Sequence, residues 1–137
     1  MKNLITTCAF AIGLFAGSVN AETYICKMKP DAHDYGWVSK TIVVNVNDAG
    51  DKVLVNDALV QYAYDKPIPA TIVVNKEKRL TIKWEVKGLK AERGVTMPRF
   101  MYRLTVLKAR GNKAILRANP AGYSWDLGAS GKCRVNK

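Results

Sequence analysis

Apolar and polar residues alternate with a period of two along most of this 137-residue chain, and that rhythm restricts it to β-structure. The run Leu80-Thr81-Ile82-Lys83-Trp84-Glu85-Val86 places apolar side chains at 80, 82, 84 and 86, with polar ones between. Phe100, Tyr102, Leu104 and Val106 repeat the pattern, with Arg99, Arg103 and Thr105 on the other face. Ile42, Val44 and Val46 alternate with Thr41, Val43 and Asn45, and Ala114, Leu116 and Ala118 with Lys113, Ile115 and Arg117. Successive side chains of a strand point to opposite sides, so each run predicts a strand with one buried face. Shorter strands are predicted at residues 23–28, 53–55, 58–64, 70–75 and 132–135. Helical periodicity is nearly absent.

Turn chemistry separates these runs: Asn47-Asp48-Ala49-Gly50-Asp51, Lys66-Pro67-Ile68-Pro69, Asn75-Lys76-Glu77-Lys78 and Arg110-Gly111-Asn112. The last one tests register. A two-residue Gly111-Asn112 loop sets Val106 opposite Arg117 and mixes core with surface. A three-residue loop sets Val106 opposite Leu116 and Leu104 opposite Ala118, which keeps one apolar face and predicts a left-handed Asn112. The expected fold is therefore all-β, a small antiparallel meander of seven to nine strands. Such a sheet must cover its own apolar face, by closing into a barrel or, as the alternative, folding into a β-sandwich.

The first 21 residues carry a different signal. Met1-Lys2-Asn3 is a short positive end, Leu4 to Ala16 is almost wholly apolar or small, and Val19-Asn20-Ala21 has the spacing a signal peptidase reads. Residues 1–21 are expected to be a signal peptide, too short for a membrane span, and residues 22–137 a single exported domain, periplasmic or extracellular. Cys8 lies within the apolar run and lacks the residue order of a lipid-anchored cysteine. Once it leaves with the leader, Cys26 and Cys133 remain as an even pair in an oxidising compartment. A bridge between them would tie the first strand to the last, which is what closing a barrel requires. Closing a loop of ~100 residues contributes up to roughly 4.7 kcal/mol on the chain-entropy model.

Charge is uneven. The chain holds 22 Lys and Arg against 11 Asp and Glu; without Lys2 the balance is 21 to 11, a net +10. Residues 22–65 carry four Lys and seven acids, a net −3, and residues 66–137 carry 17 basic groups and four acids, a net +13. The positive excess thus belongs to the C-terminal half, and a basic face implies an anionic partner: an anionic polymer, a lipid headgroup or an acidic protein. Nucleic acid is not the expected partner of an exported chain. Lys83, Arg99, Arg103, Lys113 and Arg117 all fall on the polar face of the C-terminal strands. Residues 87–98, read as a long loop, add Lys87, Lys90 and Arg93 to give a cationic stripe. Glu85 and Glu92 neutralise part of it. Like charges on neighbouring strands cost free energy.

Catalytic chemistry is thinly represented. There is one histidine, and no nucleophile elbow, phosphate-cradling glycine loop or HExxH motif occurs. Asp31-Ala32-His33-Asp34 groups two carboxylates and an imidazole, but a metal site needs three or four ligands at fixed spacing. A solvated polar loop is the expected role. No catalytic residue, metal or cofactor is implied. Trp84, Phe100 and Tyr102 occupy inward positions, whereas Tyr35-Gly36-Trp37 and Tyr123-Ser124-Trp125 lie in turn-like stretches expected to pack over the barrel ends.

The leader, the opening Tyr24-x-Cys26, the meander and the late cysteine resemble the small envelope inhibitors of c-type lysozyme. Of their Ser-Gly-x-x-Tyr-type motif only Ser130-Gly131 stands here, at the other end of the chain, and a net +10 protein is repelled by a basic lysozyme. Gly36-Trp37 and the meander resemble lipocalins, whose Gly-x-Trp motif has an intervening residue missing here. The resemblance therefore implies architecture and no family. The leading expectation is a non-enzymatic binding module that recognises an anionic envelope component or an acidic protein. The alternatives are a small apolar-ligand carrier and a hydrolase inhibitor working through residues 87–98.

Overall fold

The computed structural model describes residues 21–31, 36–90, 94, 96–124 and 126–137. Residues 1–20 of the expected signal peptide, most of the Asp31-Ala32-His33-Asp34 cluster, Tyr35, Glu92, Arg93 and Trp125 lie outside the described residues. Eight strands follow in chain order: β1 (Glu22–Pro30), β2 (Thr41–Val46), β3 (Val53–Asp57), β4 (Ile68–Lys76), β5 (Arg79–Lys90), β6 (Thr96–Leu107), β7 (Lys113–Pro120) and β8 (Leu127–Asn136). Each pairs antiparallel with the next, and β8 pairs with β1, so the sheet is a closed barrel. Closure leaves no open sheet edge.

The inward positions are those the alternation picked out. Ile42, Val44, Leu80, Ile82, Trp84, Val86, Phe100, Tyr102, Leu104, Val106, Ala114, Leu116 and Ala118 are all buried in one core. Four rings stack near one end of it. Trp37 lies on Phe100 with centroids 5.4 Å apart, Phe100 on Tyr102 at 5.2 Å, and Tyr102 on Trp84 at 5.4 Å. The Tyr102 hydroxyl donates to the Trp37 carbonyl at 2.8 Å, anchoring the loop that carries Trp37 over the barrel.

Cys26 and Cys133 face each other directly in the β1–β8 register, and a disulfide joins them across a sequence separation of 107. The bond lies inside the closing seam. Next to it, Gly131 opposes Met28 so closely that a Cβ there would overlap the Lys27 carbonyl oxygen.

Three local expectations need correction. Residues 58–64 form a helix, α1 (Ala58–Tyr64), and not a strand. Asp57, extended at the end of β3, accepts from the Val60 N–H at 2.8 Å as N-cap; Asp65, left-handed at φ 59°, donates its own N–H to the Gln61 carbonyl. Capping at both ends overrides the alternation. The helix seats Val60 in the core beside the short β3–β4 ladder. From its last turn the Tyr64 hydroxyl accepts the Lys87 N–H at 2.9 Å.

Residues 87–98 are mostly hairpin, not loop, since β5 runs to Lys90 and β6 starts at Thr96. Gly88, at φ 72°, faces Pro98, which has no N–H to donate, and the strand rotates there so that Leu89 is buried. That rotation breaks the alternation and made the segment read as a loop. In the β6–β7 connection Val106 opposes Ala114 and Leu104 opposes Leu116, so five residues, 108–112, lie between the strands. Lys108–Arg110 form a 3₁₀ turn, and Gly111 and Asn112 are both left-handed. The register differs by two from the expected one, which preserves the buried face.

Candidate functional site

Antiparallel register turns the outward alternation of the C-terminal strands into rows. Lys83 of β5 stands opposite Arg103 of β6, and Arg103 opposite Arg117 of β7. Neighbouring strands lie ~4.8 Å apart, so three cations are held side by side across the sheet. All three are exposed, and none makes an ion pair among the described residues. Four residues along, past the pair Glu85 and Met101, Lys87 opposes Arg99, and Lys90 opposes Thr96. Glu85 lies 3.9 Å from Arg99, with both side chains about half exposed, so this pair is a weak, screened contact. Of the residues expected in the stripe, Lys83, Lys87, Lys90, Arg99, Arg103 and Arg117 are therefore on one outer surface. Arg93 lies outside the described residues.

A second row was not visible in the chain. Lys113 of β7 opposes Lys132 of β8, and Lys132 opposes Lys27 of β1. Lys27 belongs in sequence to the net-negative segment 22–65, yet barrel closure sets it among the C-terminal cations. Its ammonium donates to the Thr41 hydroxyl at 3.1 Å. Arg134 stands two residues beyond Lys132 on the same strand, and these side chains border an open groove of about 730 Å³. The Cys26–Cys133 bond lies directly behind this row. The signal that would have found it was the disulfide itself, because pairing Cys26 with Cys133 fixes Lys27 opposite Lys132.

The other side of the barrel contrasts sharply. Outward positions on β2, β3 and the first part of β4 are Thr41, Val43, Asn45, Leu54, Asn56, Pro69, Thr71 and Val73, with no charge among them; the one exposed cation of these strands is Lys76, at the end of β4 opposite Arg79. Leu54 and Val73 are exposed there. The molecule thus separates a cationic side, β5 to β1, from one, β2 to β4, whose outward positions are neutral as far as Val73.

Inside the barrel, polar groups gather near α1. Burial raises the Asp57 carboxyl above its ordinary value, against the lowering effect of the Val60 and Leu59 N–H groups and the nearby Ser39 hydroxyl. Burial, and then the Asp57 charge, push the Tyr102 hydroxyl up. At the opposite end burial likewise raises Tyr24, whose hydroxyl donates to Glu22 at 2.6 Å. Ser39 Oγ and Trp84 Nε1 are buried without a hydrogen-bond partner among the described residues. Among those residues no three His, Cys, Asp or Glu side chains are grouped as metal ligands. Asp31 turns its carboxylate over Gly128 on the barrel wall. No helix among the described residues is long and apolar enough to cross a membrane.

Comparison with known protein families, curated proteins and solved structures finds no match for this chain.

Proposed function

We propose that this chain is an exported, non-catalytic binding module, and that its ligand is an anionic polymer held on the cationic side of the barrel. The observation that carries the reading is the row Lys83–Arg103–Arg117. Three directly opposed like charges destabilise the folded barrel, and among the described residues none of them makes an ion pair, although the Asp31 carboxylate lies over Gly128, the partner of Arg117, and Glu85 stands two residues from Lys83. A ligand that supplies negative charge relieves that repulsion, so the field of the row attracts an anion and rewards its capture. The buried disulfide and the leader of residues 1–21 support export into an oxidising compartment.

The core favours surface binding over carriage of an apolar ligand. Tyr24, Trp84, Phe100 and Tyr102 are buried among aliphatic side chains, and the rings stack on one another. Inhibition of a hydrolase through an extended loop at 87–98 loses its basis, since that segment is mostly paired strand.

The test is titration of the protein with long-chain polyphosphate at low and high salt. Arg103→Gln with Arg117→Gln should weaken binding at least ~10-fold, the equivalent of ~1.4 kcal/mol. Lys40→Gln with Lys66→Gln removes the same charge from outside the rows and should have a much smaller effect. Affinity should fall steeply with salt. Equal losses from both pairs would reduce the reading to non-specific attraction by net charge.

A further inference from the structure

We infer that the two cationic rows form one continuous track, and that the ligand is an extended linear polyanion bridging both, not a compact anion seated at either. This rests on the reading of the first row as an anion site. Arg117 and Lys113 belong to the same strand, β7, and link the rows: the first runs from Arg117 back to Lys83, the second from Lys113 on to Lys27. From Lys83 to Lys27 the path crosses four strand-to-strand steps, ~19 Å, and descends four residues along β7, ~14 Å, so the track through the cations is roughly 33 Å long and its ends are ~24 Å apart on the unrolled sheet. A single phosphate or carboxylate group reaches one row only.

The surface between the rows suits a chain lying across it. The residues that separate them, Thr105 and Ile115, face outward half-buried, while Ser130 is exposed, and none of the three carries charge. Nothing acidic is described between Arg117 and Lys113 on β7. At the far end, Lys27, Lys132 and Arg134 surround a groove whose floor includes Ile25 and Val135. The low-dielectric floor and the concave shape strengthen the field of those cations relative to a flat surface. Lys132 and Lys27 are held opposite each other by the closing seam, so this end of the track exists only in the closed barrel.

Three variants of equal charge change separate the possibilities. The first is Lys83→Gln, Arg103→Gln and Arg117→Gln; the second is Lys27→Gln, Lys113→Gln and Lys132→Gln. The third, Lys40→Gln, Lys52→Gln and Lys66→Gln, removes cations that lie off the track. Each is titrated with tripolyphosphate and with a polyphosphate chain long enough to cross the five strands, and thermal unfolding checks that each is folded. The wild type should bind the long chain at least ~10-fold more tightly than tripolyphosphate, with a steeper dependence on salt because more contacts are neutralised. Either row variant should abolish that long-chain advantage, and the off-track variant should keep it. If the second-row variant behaves like the off-track one, the track is overturned while the first row stands as an anion site. If the first-row variant does so, the proposed function fails as well. Tripolyphosphate binding as tightly as the long chain would mean two separate small-anion sites and would also overturn the track.

Discussion

Replacing Gly131 by alanine should break the seam that closes this barrel. Gly131 takes no positive φ, so alanine is acceptable to its backbone, and Gly→Ala at such a site stabilises by ~0.4–1 kcal/mol through the unfolded chain. Space decides the matter. The new Cβ would overlap the Lys27 carbonyl oxygen and stand 2.9 Å from its carbon and 3.0 Å from Met28 Cα. Carbon atoms rest at ~3.5–4.0 Å, so β1 must retreat by ~0.5–1 Å, which forfeits a quarter to a half of each contact along the seam. Overpacking costs ~1–3 kcal/mol and more when backbone is the obstacle, so a net loss of ~3 kcal/mol is expected. At ~4 °C per kcal/mol for a domain of this size, thermal unfolding followed by circular dichroism should show a drop of ~12 °C. The comparator is Gly128→Ala on the same strand. Its Cβ would meet the Asp31 carboxylate at 2.9 Å, the end of an exposed side chain that can swing aside, and it should cost under ~1 kcal/mol. Urea unfolding of both variants provides an independent measure. A Gly131→Ala protein melting within ~2 °C of wild type would refute the close approach of β1 to β8.

Two further outcomes probe the core. Trp84→Ala should cost ~3–5 kcal/mol in chemical denaturation through the cavity it leaves, whereas Trp84→Phe keeps a ring against Tyr102, removes the unpaired indole N–H and should cost less than ~1.5 kcal/mol. The raised Asp57 carboxyl means the folded state holds its proton to higher pH than the unfolded state, so stability should fall as pH rises upward from 3.8 and level off once the folded-state group has ionised. Asp57→Asn keeps the helix cap and should flatten that part of a stability–pH profile, while Asp57→Ala should lose ~1 kcal/mol with the cap. A profile unchanged by Asp57→Asn would place the titration elsewhere.

Where alternation was strict, the sequence was readable to the residue: Leu80–Val86 and Phe100–Val106 face inward at the positions their spacing demanded. It failed where a local device outweighed it. The stretch after Asp57 mimics a strand because Val60, Tyr62 and Tyr64 fall at a period of two about Gln61 and Ala63, yet a capping carboxylate at one end and a left-handed Asp65 at the other select one short helix. Gly88 and Pro98 hid a continuous hairpin, because one residue with positive φ moves the buried position from 88 to 89. The β6–β7 register was constrained only modulo two, since a shift by two residues leaves every side chain on its own face. The choice between three and five connecting residues lay with the 3₁₀ turn at Lys108–Arg110, which no apolar pattern encodes.

Charge taught the opposite lesson. Dividing the chain at Asp65 correctly found the excess of cations, but a closed barrel has no N-terminal half in space. Its first strand lies between the second and the last, so Lys27 joins Lys113 and Lys132, while the carboxylates of Asp48 and Asp51 stay in the loop between β2 and β3, beside the neutral wall. The result is a field with a direction. On the proposed reading, an approaching polyanion would meet positive potential over the strands from β5 round to β1 and, short of Lys76 at the end of β4, an uncharged surface over β2 to β4, and steering of that kind would orient the encounter before any contact forms. Closure by Cys26 and Cys133 is therefore a condition for the charged surface as well as for the core. The bond that seals the barrel also aligns the side chains on either side of it.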